Sequence, residues 1–350
     1  MVENEEIEGD LTSVFHRLRN SEQYWIRPRN DLNCMTLYYG PATWFLTLSP
    51  SEWTWDDLGE YLRKINPSMK DLTVSALVAV DPISVSRFME NKRKAFIDFI
   101  MSSDNPIGKV THYFCRREYQ GRGLQHFHFA IWVEGAPILG DEESEMSDEE
   151  TARHTEKVVK FITKHVSCQI PDKMLSPILH DRIIKYQQHR CNQYCLRSKK
   201  TKKGIRKVCR FGFPRPQRDS FCLRSVVEAV AGRKALKANS RLYDLPRTAG
   251  ERMINDYNPA TLLVWEGNMD IQYIGEKSAI LNWYITKYTT KAEKSHSNAA
   301  FEEVTSTKSL ASCLWNVALR SLSNRECGAM EVSDTLLGIS LYETDTHTVF

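Results

Sequence analysis

No stretch of this sequence is apolar for long enough to cross a bilayer. Its first residues, MVENEEIEGD, are acidic and polar where a secretory signal would be basic and then hydrophobic. Neither a membrane span nor a leader is therefore expected. Net charge is nearly absent too: 47 Lys/Arg against 44 Asp/Glu leave +3, so total charge identifies no partner. No internal repeat is present, so a repeat architecture is not expected. No GxxxxGK[ST] phosphate loop occurs, so these residues carry no P-loop motor.

What is present is 350 residues, 41% of them hydrophobic, enough for two domains or one domain with large insertions. The charge is segregated. Arg182 to Arg218 holds 13 Lys/Arg and no Asp/Glu, while seven of the ten residues Asp141–Glu150 are acidic. That pattern suggests a polyanion-binding face beside a solvated acidic loop. Nine cysteines, unevenly spread and with no leader, point to a reducing compartment, where clustered thiols read as metal ligands before disulfides.

Patterning predicts a helix from Leu11 to about Arg29 and a strand over TWFLTLSP (Thr43–Pro50). A helix follows over SEWTWDDLGEYLRKI, with Ser51 or Thr54 as its cap. RFMENKRKAFIDFIM is an amphipathic helix, and Lys109–Tyr119 and Gln125–Val133 are strands joined at GRG. Residues 137–150 read as the acidic loop, Ala152–Val166 as a helix, and residues 220–250 as helical with loops. LLVWEGNMDIQYI (Leu262–Ile274) reads as strand, Ser278–Lys294 and residues 305–322 as helices, and the tail as weakly structured. Strands and helices do not alternate regularly. The expected class is α+β, with a central antiparallel sheet flanked by helices.

In LQHFHFAIWV, side-chain alternation puts His126 and His128 on one strand face and Phe127, Phe129 and Ile131 on the other. Two imidazoles on one face are half a coordination site. On the preceding strand Glu118 and Gln120 share a face. If Gln120 pairs with His126, Glu118 lies opposite His128 and all four converge. Such an open site beside phosphate oxygens favours magnesium or manganese. In WYITKYTTK, Tyr284 and Tyr288 lie four apart, on one helical face, with Lys287 and Lys291 alongside. A phenol can attack a phosphodiester and hold a covalent phosphotyrosine, and a lysine can neutralise the charge that develops.

His189, Cys191, Cys195 and Cys209 have the spacing of a tetrahedral structural zinc site, with His180 a rival for the imidazole. The intervening basic loop offers Lys199, Lys200, Lys202, Lys203, Arg206 and Lys207, and Arg210 follows, all suited to a DNA backbone. Cys34, Cys115, Cys168, Cys222, Cys313 and Cys327 read as buried thiols. Trp44, Trp53, Trp55, Trp132 and Trp283 read mainly as core, with some available to stack on unpaired bases.

An H-x-H strand followed by a tyrosine helix resembles the HUH endonucleases. The closer resemblance is to the N-terminal, replication-initiator-like domain of Helitron transposases. Five blocks carry it in order: NSEQYWIRPRNDLNCMTLYYGPATWFLTLSPSEWTWDDL, REYQGRGLQHFHFAIW, HRCNQYCLRSKKTKKGIRKVCRFGFPRP, NPATLLVWEGNMDIQYI and WYITKYTTK. The resemblance implies that His126 and His128, with Glu118 or Gln120, bind the catalytic metal. It implies that Tyr284 and Tyr288 are nucleophiles and that Asp270 and Gln272 lie near the site.

The implied activity is metal-dependent nicking and strand transfer on single-stranded or locally melted DNA, through a 5′-phosphotyrosine, for rolling-circle transposition in the nucleus. A viral or plasmid replication initiator and an inactive DNA-binding remnant are the alternatives. The implied layout runs 1–40 (polar lead-in), 41–136 (first part of the nuclease core), 137–178 (acidic loop and helix), 179–220 (zinc insertion), 221–322 (second part of the core with the tyrosine helix) and 323–350. The last is a connector toward a helicase domain that is usual in the family and absent from these residues.

Overall fold

The computed structural model describes residues 19, 23–119, 123–139, 147–201, 204–224, 241–277 and 327–346. Gln120, Lys202, Lys203, Trp283, Tyr284, Lys287, Tyr288, Lys291 and Cys313 lie outside them, as do the helices expected over 278–294 and 305–322.

Among the described residues the chain is α+β. In order, α1 is Ile26–Tyr39, β1 Trp44–Leu48, α2 Asp56–Ile65, α3 Val74–Val80, α4 Pro82–Ile100, β2 Val110–Tyr119 and β3 Gln125–Val133. Then come α5 Asp148–His165, α6 Pro177–Arg182, β4 Leu196–Thr201, β5 Gly204–Cys209, β6 Cys222–Leu223, β7 Tyr243–Asp244, α7 Pro259–Trp265, β8 Met269–Tyr273, α8 Ala329–Leu336 and β9 Tyr342–Thr344. The central sheet has five strands in the order β8-β1-β3-β2-β9, antiparallel throughout.

Strand alternation divides this sheet chemically. Trp44, Leu46, Leu48, Phe127, Phe129, Ile131, Met269, Ile271 and Tyr273 line one face and are all essentially buried. Helices cover that face with their apolar stripes. Val85, Met89, Phe96, Ile97 and Ile100 of α4 recur at helical spacing, as do Val158 and Ile162 of α5, and Trp265 of α7 joins the same core. The opposite face changes character along the strands. At one end α1 lays Leu32 and Met35 over Phe114, Ala130 and Trp132. At the other end the face is polar and carries Thr47, Glu118, His126, His128 and Asp270.

Several local expectations give way to capping and turn chemistry. Leu262–Ile274 is not one strand, because Asn258 caps a helix by accepting from Thr261 N at 2.9 Å and Pro259 fits its first turn. That helix stops at Glu266, whose φ is +58°. The helix expected from Ala152 begins at Asp148, because Ser147 and Glu150 form a reciprocal capping box. Neither Ser51 nor Thr54 caps α2. Both belong to a tight turn in which the Thr54 hydroxyl donates to Ser51 O at 2.9 Å.

Most of the helix expected from Leu11 to about Arg29 lies outside the described residues; the first described helix, Ile26–Tyr39, runs past its expected end. Of the stretch 220–250, residues 225–240 lie outside the described residues; the rest includes the β6–β7 pair and the start of a short 3-10 turn, Ala249–Glu251. The tail is not weakly structured: β9 hydrogen-bonds along β2 as an edge strand of the central sheet. Cys115 and Cys168 are buried as expected, but Cys34 and Cys222 are only partly so, and Cys327 is exposed. Trp44, Trp55 and Trp132 are core, whereas Trp53 is 48% exposed.

Gly267 joins α7 to β8 where the backbone of Ser49 passes close by. A Cβ there would lie 2.5 Å from Ser49 O, the atom that accepts a 2.9 Å bond from Trp265 Nε1. Backbone cannot swing aside as a flexible side chain can. Gly267→Ala is therefore expected to lower stability by about 1–3 kcal/mol. Urea denaturation checks this, and an unchanged midpoint would contradict it.

Candidate active site

The β2–β3 register differs by two residues from the expected one. Glu118 pairs with His126 and Arg116 with His128, because the ladder closes at Tyr119↔Gln125. A shift of two keeps every side chain on its face. Glu118 therefore still lies on the imidazole face and reaches diagonally to His128, with Oε2 2.8 Å from Nε2.

Each imidazole is oriented from β1 and the turn after it. Thr47 Oγ1 lies 3.2 Å from His128 Nδ1, and Ser49 Oγ lies 3.0 Å from His126 Nδ1. These hydroxyls were not singled out in the sequence. Their signal is the T-x-S spacing in TLS, which repeats the period of H-x-H on the neighbouring strand. A hydroxyl can donate or accept, so it fits either imidazole tautomer. It also performs the orienting role that partners of metal-bound imidazoles perform. Phe45 stacks on His128 with ring centroids 5.8 Å apart and planes 12° apart, and the two imidazole centroids are 4.6 Å apart.

The electrostatics favour ligand-competent protonation states. Burial pushes His126 down to about 3, helped by His128 and Arg116, so it is neutral at physiological pH. Burial would raise Glu118, but its bond to His128 and the charges of His128, Arg116 and His126 outweigh that and hold it at about 2. Arg116 is itself buried, with its guanidinium carbon 4.4 Å above the Trp25 ring. A neutral imidazole, a second imidazole and a carboxylate form a donor set that a hard divalent cation accepts. Their ligand atoms are less tightly gathered than those of the Cys/His cluster described below.

Asp270 and Gln272 do share a face. Asp270 lies in one cross-strand row with Thr47 and His128. Its carboxylate is occupied: Arg241 bonds it, Asn255 Nδ2 donates at 3.0 Å and Gln272 Nε2 at 2.5 Å. Burial acts to raise its pKa, but Arg241 and these donors hold it below the ordinary aspartate range. Arg241 also binds Asp256 at 2.6 Å, and Asp256 in turn accepts from Arg247.

A second centre lies in the insertion. Among the described residues, His189, Cys191, Cys195 and Cys209 form a group whose ligand atoms all lie within 4.8 Å of one another. His180 is not in it and faces Asp181 at 3.2 Å. Cys195 and Cys209 are brought together by the hairpin β4–β5, whose ladder starts at Leu196↔Cys209. The basic segment is this hairpin rather than a loop. Asn192 N donates to Cys195 Sγ at 3.2 Å, and His189 Nε2 lies 3.4 Å from Cys209 Sγ. Partial burial and the crowding of Cys209 and Cys195 push the Cys191 thiol up to about 12. Thiols this close resist ionising together unless a cation compensates them, so the group could bind a metal such as zinc. Lys200, Arg206, Lys207 and Arg210 are exposed and Lys199 is partly so.

Residues 2–131 match the family model described as a Helitron helicase-like domain at the N-terminus. The match covers somewhat over a third of the chain and takes in β1, β2 and the imidazole pair of β3. No curated protein matches the chain. Among the described residues, no helix is long and apolar enough to cross a membrane.

Two outcomes are expected. First, Cys195→Ser and Cys209→Ser should each lose a bound metal ion and melt at lower temperature than the parent. Metal analysis of purified protein checks this, and undiminished metal in both variants would contradict it. Second, the depressed His126 pKa means that the unfolded chain binds more protons than the folded one between about 6.5 and 3. This contribution is complete above pH 6.5 and is lost as pH falls, by about 2 kcal/mol at pH 5. Urea unfolding at pH 7.5 and 5 should show the loss in the parent and much less of it in His126→Asn. Equal losses would contradict the assignment.

Proposed function

We propose that this chain is the HUH-type nuclease region of a Helitron transposase, which nicks and transfers single-stranded DNA. The observation that carries the reading is the imidazole pair: His126 and His128 on one strand face, each held at Nδ1 by a hydroxyl, with Glu118 at 2.8 Å from His128. His126, His128 and Glu118 would hold magnesium or manganese, with Gln120 the other candidate for the third position. When bound, the ion supplies Lewis-acid polarisation of a phosphodiester.

The nucleophile is Tyr284 or Tyr288. Its phenolic oxygen forms the new bond to phosphorus and the bond to the 3′ oxygen breaks. The phenolic proton ends on that leaving oxygen. The products are a 5′-phosphotyrosine and a free 3′-OH. Lys287 and Lys291, four residues apart in the same sequence block, lower the cost of the phenolate. Two tyrosines at i, i+4 allow one to open a donor strand while the other receives a second strand.

The Cys/His group holds structural zinc in this reading. It pins the basic hairpin, whose Lys199, Lys200, Arg206 and Lys207, with Lys202 and Lys203 between its strands in sequence and Arg210 after it, bind backbone phosphates without reading sequence. Rolling-circle transposition in a nucleus is the setting that follows.

Labelled single-stranded DNA incubated with manganese and run on a denaturing gel tests the reading. The expected result is a protease-sensitive covalent adduct that requires metal, is lost in the Tyr284→Phe/Tyr288→Phe double variant, and falls at least 100-fold in His126→Ala. Tight DNA binding with no adduct under any metal would leave a DNA-binding remnant in place of the enzyme.

A further inference from the structure

The motif FGFPRP contains an arginine that the site described above does not use. Arg215 is 5% exposed, yet its Nε is buried without a hydrogen-bond partner. No side-chain ion pair or hydrogen bond of Arg215 is present among the described residues, although its backbone is tied at both ends to Arg252. Arg215 N donates to Arg252 O at 2.8 Å, and Arg252 Nε donates to Arg215 O at 2.9 Å. The guanidinium carbon sits 4.4 Å over the ring of Phe213. Phe213 stacks in turn on His189, with centroids 4.4 Å apart and planes 15° apart. An imidazole of the Cys/His group, a phenyl ring and a guanidinium thus form one pile.

The charges around this pile do not balance. Arg215 lies in the field of Arg241, Arg247, Asp256 and Asp270. The two carboxylates are already bonded: Asp256 to Arg241 and Arg247, and Asp270 to Arg241. Among the described residues, three buried guanidiniums therefore face these two carboxylates, and Arg215 is the one that bonds neither. Burial and the charge of Arg241 lower its pKa to about 10, which still leaves it cationic at neutral pH. An uncompensated buried cation is destabilising, and well-packed alternatives for such a position are plentiful. A guanidinium is also the side chain whose planar fork suits a phosphate.

We propose that Arg215 is a DNA-backbone ligand, receiving one phosphodiester of the single strand between the Cys/His knuckle and the imidazole face. The stack on Phe213 and His189 sets the plane of its fork, so the knuckle positions this arginine as well as its own hairpin. Asp270, in the row of Thr47 and His128, ties the same charge cluster to the imidazole face. The assignment rests on the reading of the substrate as single-stranded DNA, and it does not require cleavage.

The test is fluorescence anisotropy of the full chain with a labelled single-stranded 20-mer across a chloride series. Arg215→Gln is expected to bind about 10-fold more weakly and to lose about 0.7 from the slope of log affinity against log salt, the share of one phosphate contact on a single strand. Its melting temperature should hold or rise, because a lone buried charge has gone. A purely structural arginine would give the reverse, a lower melting temperature and an unchanged slope. Unchanged affinity and slope in Arg215→Gln overturn the proposal.

Should that variant fail to fold, Arg215→Lys keeps the charge and loses the fork, and parental affinity in it overturns the proposal equally. If the parent forms the tyrosine adduct while Arg215→Gln keeps the full slope, only the arginine assignment fails. If the parent forms no adduct while the slope still falls in Arg215→Gln, only the nuclease reading fails.

Discussion

The register of β3 against its neighbours is the constraint on which the imidazole face depends. Phe127, Phe129 and Ile131 are completely buried against helices, and their partners Leu48, Leu46 and Trp44 are equally buried. A slip of one residue would drive both histidines into that core and expose three large apolar side chains, so it is heavily penalised. The imidazoles are thus held in place by what lies behind them. The same pairing brings Thr47 beside His128 and Asp270 beside Thr47. A site built on paired strands inherits the rigidity of the ladder, which is what chemistry needing sub-ångström placement requires.

Features governed by strand periodicity were legible in the sequence. The bounds of β3, the side on which its histidines lie, and the α+β class follow from alternation alone, and the Cys/His group follows from ligand spacing. Features governed by pairing partners were not. Nothing in HYFCRREYQGRGLQHFHF states whether Gln125 pairs with Tyr119 or with Gly121, two residues on, and that choice decides whether Glu118 pairs with His126 or His128. In the LLVW run apolar content alone does not separate a buried helix from a strand, and the Asn-Pro cap in front of it outweighs composition. The hydroxyls of Thr47 and Ser49 were overlooked because strand-end Thr and Ser are common, and only a neighbouring strand gives them a role. Arg215 was hidden inside a run of thirteen basic residues that reads as uniformly solvated.

Two other buried charge clusters among the described residues are paired. Asp334, completely enclosed, accepts from Arg117 at 2.7 Å, Tyr119 at 2.6 Å and Gln125 Nε2 at 3.0 Å, and it also bonds Ser86. Arg93 bridges Glu90 and Glu343 at 2.7 and 2.6 Å. Such networks add little net stability over apolar packing, but breaking one partner is costly, so they specify one arrangement of the parts they join. Both join the β2–β3 hairpin or its neighbouring helix α4 to α8 and β9. The hairpin that carries Glu118 and the histidines is thereby clamped from behind by residues distant in sequence.

That clamp sets a timetable. Strand β2 runs Val110–Tyr119, and its outer neighbour β9 is Tyr342–Thr344, more than two hundred positions later. On a ribosome, Phe114, Cys115 and Arg116 emerge long before Thr344, Glu343 and Tyr342 exist to pair with them. During that interval the β2 edge has unpaired backbone groups and Asp334 has not been made. An exposed edge of this kind is a template for pairing with other chains until β9 docks. Closing so long a loop also makes this the late step of folding.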